Sequence, residues 1–413
     1  MTMEKCCELL YITPMIKIKT LYDKMAKLAK AFIAFAHMRM KGKRLKNIIL
    51  FSSMPDFGDS AVEVFRRLYE SDALSCYKFI WFVDSKFKPP RSFGKNVIFK
   101  RKIHNPIFRL WYLPLESSAK LTVYTHLMIG NMFNDKQIRA FINHGSLSLK
   151  SHIGTKVIKK NVYENTHRIV DYSTYTFTAQ GKKETALGLP RNDRLFDSAA
   201  NIRKAAGLDH YDKIIIWMPT FKHYRHRDKI RLRRNDFNIE RDYDISLQAQ
   251  ADFYESADGV LSKFNMLLLI KYHPGQDLDY VSLKETDNIK IWDINGISAL
   301  PFYSVLGATD ALITDFSSVY GDYLLINKPI AFDITDIDIF YKKEDIPIVL
   351  PFMTGEKINS VTEFCAFLEN IALGVDNFAA MRERLCAGAH KYPDAYSTER
   401  VSEFLLSKLL NLD

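Results

Sequence analysis

Short apolar runs alternate with amphipathic stretches from residue 47 onwards. A short apolar run between small or polar residues is typical of a buried parallel strand, and apolar positions at i, i+3 and i+4 are typical of a helix that covers the sheet. In the first half of the chain this pattern predicts strands at 47–53, 77–84, 96–100, 121–126 and 140–143 and helices at 58–71 and 105–116. Alternating strands and helices indicate βαβ units around a parallel sheet.

The pattern restarts after a polar stretch at 197–212. The second half has predicted strands at 213–219, 266–272, 289–293, 311–315 and 329–333, and predicted helices at 247–264, 297–307, 317–326, 360–373, 378–389 and 398–410. We therefore predict an α/β protein with two Rossmann-like, doubly wound domains that face a cleft, at 47–205 and 206–413, the final helices packing back towards the first domain. Ligands of such folds bind outside the carboxyl ends of the strands, so the cleft is the expected site.

The first 46 residues have a different pattern. Apolar residues recur at helical spacing between Ile18 and Ala36, and Lys17, Lys24 and Lys30 lie on the other side. The apolar runs are too short for a membrane-spanning helix, and the features of a signal peptide are absent. We predict that 1–46 is a basic amphipathic segment whose helix binds an anionic membrane surface through residues 15–46. A helix packed on the globular body is the alternative.

Charge is distributed unevenly along the chain. The 413 residues have a formal net charge of +10 and a hydrophobic fraction of 47%, which excludes a disordered chain. Residues 1–46 contain 11 basic and 3 acidic side chains, and a second basic run spans 222–241, whereas 276–370 contains 16 acidic and 6 basic side chains. Since a nucleic-acid-binding protein usually has one extended basic face, nucleic acid is not an expected partner. The five scattered cysteines favour a reducing compartment over a disulfide framework.

Three predicted strand ends carry side chains suited to a phosphorylated ligand. Thr314 and Asp315 end one strand, and Ser317 and Ser318 open the helix that follows. Hydroxyls and unpaired N–H groups at a helix start can bind a phosphate, to which the helix dipole adds. An ordinary serine cap of the helix is the alternative interpretation.

Two further strand ends carry histidines. The strand at 266–272 brings Lys271 and His273 to its carboxyl end, where a cationic or hydrogen-bonding histidine can neutralise a diphosphate. His144 ends a strand of the first domain and Gly145 allows a sharp exit, so His144 is placed for general-base chemistry on an acceptor hydroxyl. A structural histidine at a turn is the alternative for both residues.

Several well-known signatures are absent from the sequence. It has no P-loop, no GxGxxG dinucleotide loop, no HExxH and no GxSxG motif. His223 and His226 have no carboxylate or thiol in register, and Asp336 and Asp338 are interpreted as a polar loop. We therefore predict no cofactor and no essential metal site, with a divalent cation at most assisting.

The ordered set of strand-end motifs is far more specific than any one of them. The set comprises His144-Gly145, Gly188-Leu-Pro-Arg-Asn-Asp193, Met218-Pro-Thr220, Lys271-Tyr-His-Pro274, Thr314-Asp-Phe-Ser-Ser318 running on to Asp322, and Lys328-Pro329. In order and spacing the chain resembles the CDP-glycerol glycerophosphotransferase family, whose members build wall teichoic acids and related capsular polymers. The resemblance covers roughly residues 47–390. Family members commonly read His-Gly-Thr-Pro-Leu-Lys where this chain reads His-Gly-Ser-Leu-Ser-Leu-Lys, so the acceptor side departs from the family pattern.

The resemblance implies a glycosyltransferase-B-like fold with the nucleotide in the C-terminal domain. It implies that His144 is the base, that His273 contacts the diphosphate, and that both are catalytic. Ser317 and Ser318 would bind phosphate, and Asp322, one turn on, would hold the ribose. The other implied substrate- or nucleotide-binding residues are Gly145, Arg191, Asn192, Thr220, Lys271, Thr314 and Asp315.

The implied reaction is transfer of glycerol phosphate from CDP-glycerol to a hydroxyl of a lipid-linked acceptor, with release of CMP. The expected location is the cytoplasmic face of the cell membrane, with the enzyme bound peripherally. Three alternatives stay open: a CDP-ribitol or other CDP-alditol donor, a nucleotide-sugar glycosyltransferase on the same fold, and a non-catalytic assembly protein.

Overall fold

The computed structural model describes residues 44–103, 111–126, 136–143, 166–170, 184–219, 247–272, 284–292, 297, 299–335, 337 and 352–412. The predicted amphipathic helix and the basic run at 222–241 lie outside these residues. Among the described helices, none is long and apolar enough to cross a membrane.

The first sheet has seven parallel strands within the described residues, in the order β3-β2-β1-β4-β5-β6-β7. This order is that of a doubly wound sheet: β2 and β3 are added on one side of β1 and β4 to β7 on the other, so the strand order reverses between β1 and β4. The strands are β1 (Lys46–Ser52), β2 (Lys78–Val83), β3 (Val97–Arg101), β4 (Ala119–Tyr124), β5 (Ile138–Ile142), β6 (Thr166–Val170) and β7 (Glu184–Ala186).

The second sheet has six parallel strands in the described part of the chain, in the order β10-β9-β8-β11-β12-β13. It repeats the doubly wound order, and its reversal lies between β8 and β11. The strands are β8 (Lys213–Met218), β9 (Met266–Ile270), β10 (Ile289–Ile291), β11 (Ala311–Thr314), β12 (Ile330–Asp333) and β13 (Glu356–Ile358). The prediction of an α/β fold with parallel sheets is confirmed.

Helices cover both sheets. They are α1 (Asp59–Tyr69), α2 (Leu113–Ser118), α3 (Ala199–Ala205), α4 (Phe253–Lys263), α5 (Phe302–Ala308), α6 (Val319–Tyr323), α7 (Val361–Leu373), α8 (Ala379–Ala389) and α9 (Ser397–Leu410). Short 3₁₀ helices add Asp72–Leu74, Pro190–Phe196, Leu247–Ala249 and Leu324–Ile326.

Each sheet has its own hydrophobic core, and the chain crosses between the cores at 189–195. Leu189 is fully buried in the core of the first sheet, and Leu195 in that of the second. The last helix, α9, returns to the first sheet, where Leu405 is buried beside α1. The 3₁₀ helix Pro190–Phe196, called the junction helix below, is therefore where the two halves of the chain meet.

Several elements were not predicted. The pattern missed β6, β7 and β13, which are short and lie towards the sheet edges. It assigned no element to the junction helix, and it placed α3 within the polar stretch at 197–212. The predicted helix at 247–264 is a 3₁₀ turn followed by α4, and the one at 297–307 begins only at Phe302.

Candidate active site

The carboxyl edge of the second sheet brings together predicted residues from distant parts of the sequence. β8 lies between β9 and β11, and its carbonyls bind the residues on both sides. The Lys271 backbone N–H donates to the Trp217 carbonyl at 2.8 Å, and the Thr314 hydroxyl donates to the Met218 carbonyl at 2.9 Å. Lys271 and Thr314 thus flank the point where the strand order reverses, which is the usual ligand position in this kind of sheet.

Lys271 lies in an aromatic setting. Its Nζ is 4.7 Å from the centre of the Phe302 ring and 5.6 Å from that of Trp292. Within the part of the chain that the structure describes, no carboxylate forms an ion pair with it. Burial lowers the pKa of Lys271 because desolvation disfavours the charged form. An anionic ligand at this edge would supply a counter-charge to Lys271.

At the end of β11, some side chains hold the local structure together and others have hydroxyls without a hydrogen bond among the described residues. The Thr314 hydroxyl is used in tying β11 to β8, and Asp315 accepts the Phe316 N–H at 2.6 Å. Ser317 and Ser318 are half-buried, and neither hydroxyl makes a hydrogen bond within the described residues. These two hydroxyls lie at the start of α6, and their contact with a phosphate stays a prediction.

Arg191, Asn192 and Asp322, three of the predicted binding residues, form a buried network. Arg191 Nη2 donates to Asp322 Oδ2 at 2.8 Å, and Asn192 Nδ2 donates to Asp322 Oδ1 at 3.1 Å. The Tyr303 hydroxyl also donates to Asp322 Oδ2, at 2.7 Å, and its ring lies 4.8 Å from the Arg191 guanidinium. Both carboxylate oxygens of Asp322 therefore have protein partners, a role that the sequence did not predict. The ribose contact of Asp322 stays a prediction.

The same arginine reaches the first sheet. Arg191 Nη1 donates to Asp59 Oδ1 at 3.0 Å, and Asp59 is the first residue of α1. Burial alone would lower the pKa of Arg191, but Asp322 and Asp59 outweigh it and hold that pKa well above its ordinary value. Burial raises the pKa of Tyr303 well above its ordinary value, so the Tyr303 hydroxyl keeps its proton and donates. One permanent cation thus bridges carboxylates from the two halves of the chain.

The rest of the junction helix makes local contacts. Asp193 accepts the N–H groups of Ser397 and Thr398 at 2.9 and 2.7 Å, which caps α9. Arg194 donates to Glu63 of α1 at 2.8 Å. A Cβ on Gly307 of α5 would lie 2.2 Å from the Leu195 carbonyl oxygen, so α5 approaches this helix as closely as a glycine allows.

The remaining predicted residues lie outside the described part of the chain. They are His144, Gly145, Thr220 and His273, whose roles stay predictions. No group of three or more metal-ligating side chains occurs among the described residues.

Sequence reasoning did not single out Asp59, Tyr303, Phe302 or His126. Asp59 and His126 each follow a strand of the first sheet, so the strand-end reasoning applied to His144 could have found them. His126 Nδ1 lies 3.1 Å from the Thr125 hydroxyl, beside the reversal point of this sheet. Nothing in the local sequence marks Phe302 or Tyr303, because their roles arise from contacts with Lys271 and Arg191.

The family model for CDP-glycerol:poly(glycerophosphate) glycerophosphotransferases matches residues 33–407. This match spans both sheets and all the motifs named above. The chain belongs to this family. The resemblance read from the strand-end motifs is thereby confirmed.

Similar proteins come from teichoic acid synthesis. The glycerol-phosphate primase of Bacillus subtilis strain 168 is 25% identical over 192 residues, which cover 42% of this chain and 44% of the primase. The ribitol-phosphate polymerase TarK of Staphylococcus aureus strain NCTC 8325 is 23% identical over 337 residues, covering 78% of this chain and 59% of TarK. The matches thus span about half the length of these relatives. The solved structure of the wall teichoic acid polymerase TagF is 15% identical, with a TM-score of 0.64 over 96% of this chain and 97% of the other, and so shares its fold.

Proposed function

We propose that this protein transfers glycerol phosphate from CDP-glycerol to a hydroxyl of a lipid-linked acceptor and releases CMP. Family membership supports a phosphotransferase that uses a CDP-alditol. The observation that carries the proposal to particular residues is Lys271, a half-buried cation without a carboxylate partner in the described residues. It follows β9, the strand next to β8 at the reversal point of the second sheet. A diphosphate is the kind of anion that this position favours.

The proposed reaction forms one phosphorus–oxygen bond and breaks another. The acceptor hydroxyl attacks the phosphorus that bears glycerol, and the bond from that phosphorus to the bridging oxygen breaks, so CMP leaves with that oxygen. The proton of the hydroxyl passes to His144, the proposed base, which contributes on the order of 10²–10⁴-fold. Lys271, His273 and the hydroxyls of Ser317 and Ser318 offset the negative charge of the diphosphate.

A CDP-ribitol donor is the second candidate. Two of the similar proteins are a ribitol-phosphate primase of Bacillus spizizenii and the ribitol-phosphate polymerase TarK, and both are about as similar to this chain as the glycerol-phosphate enzymes are. Glycerol and ribitol differ only beyond the phosphate, so the Lys271 edge favours neither.

The proposal includes the arrangement of the halves and their location. The two doubly wound sheets support a glycosyltransferase-B-like pair of domains, at 47–205 and 206–413, with the nucleotide on the second. The basic, amphipathic pattern of 15–46 supports peripheral attachment to anionic lipid on the cytoplasmic face, where a lipid-linked acceptor would be met.

Release of CMP by the purified full chain tests the proposal. CDP-glycerol, CDP-ribitol and UDP-sugars are each supplied with a lipid-linked saccharide acceptor, and the product is analysed by mass. We expect CMP release and a mass increase of one or more glycerol phosphate units with CDP-glycerol. Faster transfer from CDP-ribitol would select the second candidate, and UDP-sugar transfer alone would overturn the proposal. His144→Ala should lower the rate of CMP release by on the order of 10²–10⁴-fold while CDP-glycerol still binds.

A further inference from the structure

The two reversal points of the molecule are joined by one buried arginine. α1 leaves the carboxyl end of β1 in the first sheet, and α6 follows the carboxyl end of β11 in the second. Arg191 donates to Asp59, the first residue of α1, and to Asp322, within α6. The side chain of Asp322 is fully buried, and those of Asp59 and Arg191 are 5% and 9% exposed.

From this geometry we infer that Asp59, Arg191, Tyr303 and Asp322 form a latch, meaning a network of contacts that aligns the two half-sites. The half-sites are the ligand-binding edges of the first and second sheets. The inference rests on the proposed function for what the half-sites bind, and it assigns these four residues to positioning. Arg191 donates to Asp59 and to Asp322, and Asp322 also accepts hydrogen bonds from Asn192 and Tyr303. These contacts fix the Asp322 carboxylate through both of its oxygens.

The latch is connected to the phosphate side through two neighbouring residues of α5. The ring of Phe302 packs on the Lys271 ammonium group, and the next residue, Tyr303, donates to Asp322. Asp322 lies one helical turn beyond Ser318. The backbone of α6 therefore links the position of the Asp322 carboxylate to that of the Ser317 and Ser318 hydroxyls. A shift at Arg191 would therefore move both Lys271 and the serine turn relative to α1.

The relative position of the two half-sites matters for group transfer between two bound substrates. A misplacement of about 1 Å of reacting groups can lower the rate by on the order of 10²-fold without loss of binding. Donor contacts lie on the second sheet and the proposed base on the first, so a loosened latch is expected to lower kcat and leave the KM for the donor nearly unchanged.

Two conservative variants test the latch from opposite sides. Tyr303→Phe removes one donor to Asp322 in the second half. Asp59→Asn removes one charge in the first half, and asparagine suits the left-handed conformation that Asp59 adopts (φ 55°). Arg194→Met is the matched control, because Arg194 lies on the same junction helix and, among the described residues, forms ion pairs with Glu63 and Asp197 and not with Asp59 or Asp322. Circular dichroism verifies the fold of each variant.

Amide hydrogen exchange on the full chain without substrate is the first measurement. We expect Tyr303→Phe to raise exchange in residues 53–62 of the first half, and Asp59→Asn to raise it in 315–323 of the second, by about 2- to 30-fold. Arg194→Met should leave 315–323 unchanged. If each latch variant loosens only its own half, the latch is overturned. This measurement needs no donor, so it decides the latch even if CDP-glycerol proves not to be the substrate.

Steady-state kinetics with the best donor is the second measurement. We expect both latch variants to lower kcat by on the order of 10- to 100-fold with little change in donor KM. The double variant should be no worse than the poorer single one, because residues in one network are not additive. A raised donor KM at unchanged kcat would assign these residues to donor binding and overturn the inference.

Discussion

At the residue scale, Lys271 and Arg191 show how the same charge type serves different purposes. Arg191 is buried between two carboxylates, which hold its pKa well above the ordinary value. Lys271 has aromatic rings and no carboxylate among the described residues, and its pKa is lowered by burial. Removing one partner of a buried ion pair lowers the free energy of unfolding, because it leaves a buried charge uncompensated. A partly desolvated lysine such as Lys271 can instead form an ion pair with a bound anion.

Replacing Lys271 by methionine is expected to separate binding from stability. The lost charge-assisted contact should weaken CDP-glycerol binding by about 10- to 100-fold, from a contact of roughly 1.5–3 kcal/mol. Titration calorimetry measures the affinity. The control is Lys263→Met, since Lys263 also lies over a ring, Phe264, but at the end of α4 that leads into the start of β9. Equal loss of affinity in both variants would argue against Lys271 as the donor cation.

The same variant should change how stability depends on pH. The folded protein holds the Lys271 proton less tightly than the unfolded chain does, because its pKa is lowered from the ordinary 10.5. The free energy of unfolding therefore gains from this residue as pH rises from below the lowered pKa towards 10.5, and Lys271→Met should lose that gain. Urea unfolding across this window measures it.

At the scale of elements, the junction helix exists because of its tertiary contacts. Its sequence, Pro190-Arg-Asn-Asp-Arg-Leu-Phe196, is polar and has no helical apolar period. Each polar side chain instead meets a partner on a different element, namely α1, α6 or α9. Sequence reasoning recognised these residues as a motif and could not predict the helix, because the stabilising partners are remote in the chain.

Two Gly→Ala variants in helices of the second half test how closely α5 approaches the junction helix. Gly307→Ala should destabilise the fold by about 1–3 kcal/mol, because its Cβ would meet the Leu195 backbone. Gly259→Ala, in α4, has open space and should stabilise the fold by roughly 0.5–1 kcal/mol. Chemical denaturation measures both, and a neutral Gly307→Ala would show that the junction can yield.

At the scale of the whole molecule, the positive charge lies mainly outside the two sheets. Residues 1–46 contribute 11 basic and 3 acidic side chains to a net charge of +10. The proposed catalytic residues belong to the two sheets, and the proposed location depends on the basic N-terminal segment. The predicted attachment thus concerns a part of the chain distinct from the site.

Vesicle binding tests that attachment. Leu21→Glu with Phe32→Glu places charge on the apolar face of the predicted helix and should release the full chain from vesicles that contain anionic lipid. Leu373→Glu with Leu410→Glu is the control, because it adds the same charge at exposed apolar positions, 69% and 52% exposed, of the second-half helix α7 and of α9. Binding is measured by co-sedimentation with the vesicles. If both double substitutions weaken it equally, the effect is a general one of added charge, which would contradict the proposed helix.

Apolar runs and motifs that are local in the chain were enough to predict the α/β class, most of the central strands and the family. The sequence also indicated Lys271, Ser317 and Ser318 as candidate ligand-binding residues, since all three follow strands at the edge where ligands bind. The strand order, the short edge strands and the partners of Arg191 could be seen only in the folded protein. Asp59 and Asp322 are more than 130 residues from Arg191, and a pairing over that separation is set by how the halves pack.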